Sequence, residues 1–180
     1  MFREERTEVL HALIAAHPLA TLITAGSAGL MANLIPFLLH AEGEQCVLRA
    51  HLARANKQLD ALREGADALV VFQGPQCYVT PSWYASKREH GKVVPTWNYA
   101  MVQVRGKARV IDDPAWVHAR VAELTRQQEQ HRAHPWQVSD APDAFIATQL
   151  KAIVGVEIPV QSMEGKWKIS QNRPPADRRG

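Results

Sequence analysis

The chain has 180 residues, 46% hydrophobic and 22% charged, with a formal net charge of +3. Those values fit one folded domain over residues 1–180 with a real core, and they exclude a multidomain machine and wholesale disorder. No apolar run approaches the ~20 residues of a membrane-spanning helix, and Arg3-Glu4-Glu5-Arg6 is no signal core, so cytoplasmic residence is expected. Cys46 and Cys77 stand alone in sequence and are expected as buried free thiols, with neither a metal knuckle nor a disulfide framework.

From Glu4 to His17, Val9, Leu10, Leu13 and Ile14 recur at helical spacing and Pro18 stops the pattern, which predicts an amphipathic helix. Leu19 to Ala25, a turn at Gly26-Ser27-Ala28-Gly29 and an extended run from Leu30 to His40 predict a hairpin. Pro36 lies inside the second run and cannot donate to a ladder, so it belongs at an edge, a bulge or a ligand contact. A turn at Glu42-Gly43-Glu44 leads to a strand from Cys46 to His51, then to a helix capped by Asn56 that runs to about Glu64 and stops at Gly65.

Ala68 to Gln73 and Cys77 to Thr80 read as strand pieces broken by Gly74-Pro75, followed by a polar loop from Pro81 to Pro95. Trp97 to Ile111 is the longest strand candidate. Asp112 or Asp113, with Pro114 behind it, starts a helix carrying Trp116, Val117, Val121 and Leu124 on one face. A second helix is expected near Pro142 to Ile153. Val154 to Met163, a Glu164-Gly165 turn and Lys166 to Ser170 suggest a closing hairpin, and residues from about 171 to 180 an extended tail. Strands linked by short turns, without strand–helix alternation, favour an antiparallel barrel or sandwich with appended helices.

The nucleophile-elbow, zincin, P-loop and dinucleotide signatures are all missing, and His131 and His134 lack partners for a metal site. Three segments carry chemistry. In the first, Arg54, Asn56 and Lys57 fall between a strand and a helix start, where a guanidinium fork and helix N–H groups can seat a terminal phosphate. The second, from Gln76 to Tyr99, holds two of the five Trp and all three Tyr, a composition suited to stacking a planar heterocycle or to forming an ordinary core. In the third, alternation places Lys166, Lys168 and Ser170 on one face and Trp167 and Ile169 on the other, which fits an anionic ligand or a solvated strand.

Six strings in chain order carry a resemblance: His51-Leu52-Ala53-Arg54-Ala55-Asn56, Phe72-Gln73-Gly74-Pro75, Tyr78-Val79-Thr80-Pro81-Ser82-Trp83-Tyr84, Val94-Pro95-Thr96-Trp97-Asn98-Tyr99, Ile153-Val154-Gly155 and Lys168-Ile169-Ser170-Gln171-Asn172. On these the chain resembles the PaiB family, the FMN-binding negative transcriptional regulators of bacteria. The resemblance implies a mainly β, split-barrel fold of the pyridoxamine-phosphate-oxidase type, with FMN at the interface of a homodimer. It assigns the flavin phosphate to Arg54, Asn56 and His51, with Lys57 adding a cation where the family commonly has proline. It brings the backbone near Leu34, Ile35 and Pro36 to the ring edge, and Trp97, Asn98 and Lys168 from the partner subunit. The sequence starts close to the first expected helix, without the short lead-in that many relatives carry; if that lead-in covers part of the flavin in relatives, a more open site is expected here.

Three functions compete. The first is a flavin-binding transcriptional regulator; direct DNA contact has no supporting motif, and +3 gives little counterion release. The second is an FMN-dependent oxidoreductase acting on a small molecule, with Tyr84, Lys87, His90 and Lys92 in a loop able to close over the ring. The third is a flavin or haem carrier, for which no axial ligand stands out.

Overall fold

The computed structural model describes residues 1–27, 29–43 and 45–179. The first element is a two-residue strand, β1 (Arg3–Glu4), and the helix α1 (Thr7–Ala16) begins later than its apolar spacing suggests. Glu4 is the reason: its backbone pairs with Gly165, and its carboxylate accepts from the N–H groups of Glu5 and Arg6 at 3.1 and 3.0 Å. The helix buries Leu10, Leu13 and Ile14, the i, i+3, i+4 stripe read from the sequence. It ends where the N–H of His17 reaches the Leu13 carbonyl, one residue before Pro18.

Strands β2 (Leu19–Gly26) and β3 (Gly29–Pro36) form the expected hairpin, in register from Leu19–Pro36 to Gly26–Gly29. Of the expected turns Gly26-Ser27-Ala28-Gly29 and Glu42-Gly43-Glu44, Ala28 and Glu44 lie outside the described residues. The second extended run is interrupted at Phe37, and β4 (Leu38–Glu42) turns to pair with β5 (Gln45–Ala53) instead. After α2 (Gln58–Arg63), β6 runs unbroken from Asp67 to Val79, so Gly74-Pro75 does not split it. Pro75 lies beyond Val71, the last residue of β6 in register with β2. Gly74 is required by close packing, since a Cβ there would sit 2.9 Å from Leu13 and 3.2 Å from the Ala100 carbonyl.

The expected polar loop from Pro81 to Pro95 holds a 3-10 turn at Pro81–Trp83 and a short helix, α3 (Ser86–His90). The long strand candidate is β7 (Thr96–Lys107) followed by β8 (Arg109–Ile111). Asp113 is the cap of α4 (Pro114–Glu129), accepting from Ala115 and Trp116 N–H at 2.9 and 3.3 Å. Helix α5 (Asp143–Lys151) leads into β9 (Ile153–Pro159), where Trp116 of α4 packs so closely that a Cβ on Gly155 would meet its ring at 2.4 Å.

The closing hairpin is a correction. Strand β9 pairs with β5 and β8, whereas β10 (Ser162–Lys168) pairs with β1, so the two strands do not pair with each other. The turn falls at Val160-Gln161, whose N–H groups bond the Cys46 and Arg105 carbonyls, both at 2.9 Å.

Two compact units result. One comprises residues 1–17, 72–103 and the chain from Glu164 onward; its sheet runs β1-β10-β7-β6. The other comprises residues 18–71 and 104–163; in it β6 is followed by β2 and then β3, and a second sheet runs β4-β5-β9-β8. Its core holds Leu22, Leu48, Leu52, Leu59, Val70, Val156 and Ile158, all within 2% of full burial. Among the described residues no helix is long and apolar enough to cross a membrane.

Residues 171–179, expected as an extended tail, form turns, and Asp177 is only 5% exposed. Its carboxylate accepts from the backbone N–H and hydroxyl of Ser86 at 2.9 and 2.7 Å. Cys46 is half-buried and Cys77 exposed, against the expectation of two buried thiols.

Candidate functional site

The strand-to-turn-to-helix arrangement expected around Arg54 is present: β5 ends at Ala53, residues 54–57 turn, and α2 starts at Gln58. Asn56 works as a local cap, its side-chain oxygen accepting from Gln58 N–H at 2.9 Å. The free helix N–H groups expected as phosphate donors are largely consumed. Arg54 N–H bonds the Ala152 carbonyl, Asn56 N–H the Ala53 carbonyl, and Leu59 N–H the Asn56 carbonyl. An anion approaching this turn therefore meets side chains, and the six residues of α2 add little dipole.

Those side chains differ in readiness. Lys57 is exposed. The Arg54 guanidinium donates from Nε to the Lys151 carbonyl at 2.8 Å and from Nη1 to Asp112 Oδ2 at 2.8 Å; Nη2 also bonds Asp112 Oδ1. Those bonds use three of its five N–H groups. Asp112 holds the Arg54 value above its ordinary one, and Arg54 in turn holds the Asp112 carboxyl below its own. Burial pushes the His51 imidazole below its usual value, which favours the neutral form and a hydrogen bond over a cation.

Beneath the turn lies a residue that sequence reading passed over. Gln58 is fully buried, and its amide nitrogen donates to the Leu22 carbonyl at 3.0 Å, Thr24 Oγ1 at 3.1 Å and the Met31 carbonyl at 3.4 Å. Its amide oxygen accepts from Asn33 Nδ2 at 2.9 Å. The turn is thereby fastened to β2 and β3, and Asn33 directly precedes the Leu34-Ile35-Pro36 segment expected at the ring edge. Along β3, Ile35 is buried, while Leu34 and Leu30 are 63% and 80% exposed. Strand β3 is the last of its sheet, so its outer edge offers main-chain groups to a ligand or a second chain.

In the other unit, Lys168 Nζ donates to the Trp97 carbonyl at 2.9 Å and to Thr96 Oγ1, and Ser170 Oγ donates to Asn98 Oδ1 at 3.0 Å. Trp97, Asn98 and Lys168 thus come together as one cluster. Ser170 has φ +63°, a left-handed turn that Gln171 supports by bonding the Ile169 N–H and the Trp167 carbonyl. Trp97 and Tyr78 meet edge to face with centroids 5.8 Å apart, and both are about half exposed. Beside them an open groove of about 500 Å³ is lined by Leu13, Cys77, Asn98, Tyr99, Trp167 and Ile169.

The loop residues expected to close over a ring do not share one role. Tyr84 is buried under the Arg173 guanidinium, 4.6 Å from its ring centroid, whereas Lys87 reaches Ser82 and His90 accepts from Lys92 N–H. Among the described residues no group of His, Cys, Asp and Glu could hold a metal ion.

The mainly β fold with appended helices is a split barrel of the pyridoxamine-phosphate-oxidase type. It resembles the solved FAD and heme binding protein from Mycobacterium smegmatis with a TM-score of 0.68 at 19% identity, over 93% of this chain and 74% of that one. Residues 1–162 match the family described as "Putative FMN-binding domain", and the chain belongs to that family, whose cofactor is FMN. An uncharacterized protein of Emericella nidulans is 37% identical, over 98% of this chain and 85% of its own. The Protease synthase and sporulation protein PAI 2 of Bacillus subtilis is 28% identical, over 98% and 82%. The latter agrees with the PaiB-type resemblance, and the former extends the similarity from bacteria to fungi.

Proposed function

We propose that the protein is a PaiB-type regulatory homodimer that binds one FMN per subunit, with the phosphate in the turn at Arg54, Asn56 and Lys57. The observation that carries this reading is that turn: two cationic side chains on a short segment fastened from below by Gln58. His51 contributes a neutral hydrogen bond. The main chain at Leu34, Ile35 and Pro36 meets the ring edge, and Trp97, Asn98 and Lys168 are contributed by the partner subunit. The exposed row Leu30, Ala32 and Leu34 on an edge strand supports association, since such a row is covered in most stable proteins. Bound FMN supplies electron or hydride chemistry, and its redox state is the signal the dimer conveys to transcription.

The test joins a visible absorption titration with FMN to a mass measurement by light scattering. One flavin per chain in a particle of twice the chain mass is the expected result. A monomer that binds FMN would remove the dimer from this reading, and a protein indifferent to FMN would remove the reading itself. Turnover of a small molecule with a nicotinamide reductant would move the assignment to an FMN-dependent oxidoreductase.

A further inference from the structure

Arg54 is the residue on which the phosphate assignment rests, and its end-on fork already holds an anion that belongs to the chain. Asp112 receives both terminal nitrogens, one of them at 2.8 Å. It is free to do so because its neighbour Asp113 takes the helix cap, bonding the N–H groups of Ala115 and Trp116. Asp112 and Arg54 side chains are 60% and 37% exposed, so the pair is wet, loosely held and open to exchange. A phosphomonoester near neutral pH carries between one and two charges and three acceptor oxygens, so it competes well against a single carboxylate for one guanidinium.

We infer that Asp112 is a resident carboxylate that the ligand's phosphate displaces from Arg54, and that it thereby sets how strongly the site prefers a phosphorylated flavin over an unphosphorylated one. The inference rests on the phosphate reading above and adds a specificity-determining residue to it. With Asp112 present, a phosphate gains the fork only by replacing one anion with a stronger one, which holds the preference for a phosphorylated ligand down, whereas an unphosphorylated flavin does not engage the fork in either case. The second anchor of Arg54, from Nε to the Lys151 carbonyl, is uncharged and holds the side chain in place during the exchange. With the carboxylate removed, phosphate finds the fork free.

The experiment compares wild type with Asp112→Asn, using FMN, riboflavin and inorganic phosphate as probes, with Arg54→Ala as a control. Exposed ion pairs of this kind shift an equilibrium by up to about fivefold. The expected result is FMN binding about two- to fivefold tighter in Asp112→Asn, riboflavin binding unchanged, and inorganic phosphate competing with FMN at lower concentration. Equal or weaker FMN binding in Asp112→Asn, with Arg54→Ala still impaired, would overturn the inference and leave the phosphate turn standing. If Arg54→Ala binds FMN like wild type, the phosphate turn fails and this inference falls with it. Asp112→Ala guards against an amide that still bonds Arg54, and is expected to match Asp112→Asn.

Discussion

The turn at residues 54–58 and the segment at 166–171 each hold a basic side chain, and they hold it in opposite ways. Arg54 is fastened by a carboxylate, so much of its charge is already balanced. Lys168 is fastened by a hydroxyl and a carbonyl, both uncharged, so its charge is fixed in position but not neutralised. A carboxylate can be exchanged for a phosphate, whereas a carbonyl on a strand cannot leave. The first arrangement suits an anion that comes and goes, and the second suits a steady positive potential beside a ligand or partner.

The largest expected effect lies under the first region. Gln58→Leu strips the buried bonds to Leu22, Thr24 and Asn33 and leaves polar groups without partners, a loss of about 2–4 kcal/mol of stability. Chemical denaturation of the two proteins measures it. A variant as stable as wild type would mean that the turn is held by something other than this amide.

Lys168→Met probes the second region and is expected to weaken FMN binding by less than about tenfold, with riboflavin affected in the same proportion, because Lys168, clustered with Trp97 and Asn98, is expected beside the ring that both ligands share and not at the phosphate. A loss confined to FMN would assign Lys168 to the phosphate and erase the contrast with Arg54.

The smallest effect concerns the C-terminal segment. The backbone N–H of Ser86, and then its hydroxyl, hold the Asp177 carboxyl below its ordinary value of 3.8. A depressed carboxylate contributes stability above that ordinary value and loses it as pH falls through the lower folded one. Ser86→Ala should therefore melt slightly below wild type at neutral pH, with the gap closing as pH drops below 3.8. A gap that stays constant with pH would show that the hydroxyl acts through packing alone.

Much of this was legible in the sequence because it depends on local pattern. The stripe Leu10, Leu13, Ile14 gave α1, the Asp-Pro pair gave the start of α4, and strand-turn-helix order put Arg54, Asn56 and Lys57 together. What escaped depends on which segments meet. Period-two alternation marks β9 and β10 as strands without saying that they pair with different neighbours. Gly74-Pro75 reads as a break, yet the glycine is there to admit Leu13 and the Ala100 carbonyl. Asp112 looks like a spare cap until the fold brings it to Arg54, and Gln58 looks like a polar helix residue until β2 and β3 close over it. Asp177 sits in a stretch whose composition suggests a tail, and its docking to Ser86 spans 91 positions of sequence.

The most direct test of the central claim is the ratio of FMN to riboflavin affinity in wild type and in Arg54→Ala. Charge-assisted bonds to a phosphate predict that wild type prefers FMN and that Arg54→Ala loses about 10- to 100-fold in FMN affinity with riboflavin unchanged. An Arg54→Ala protein that keeps the wild-type ratio would contradict the phosphate turn.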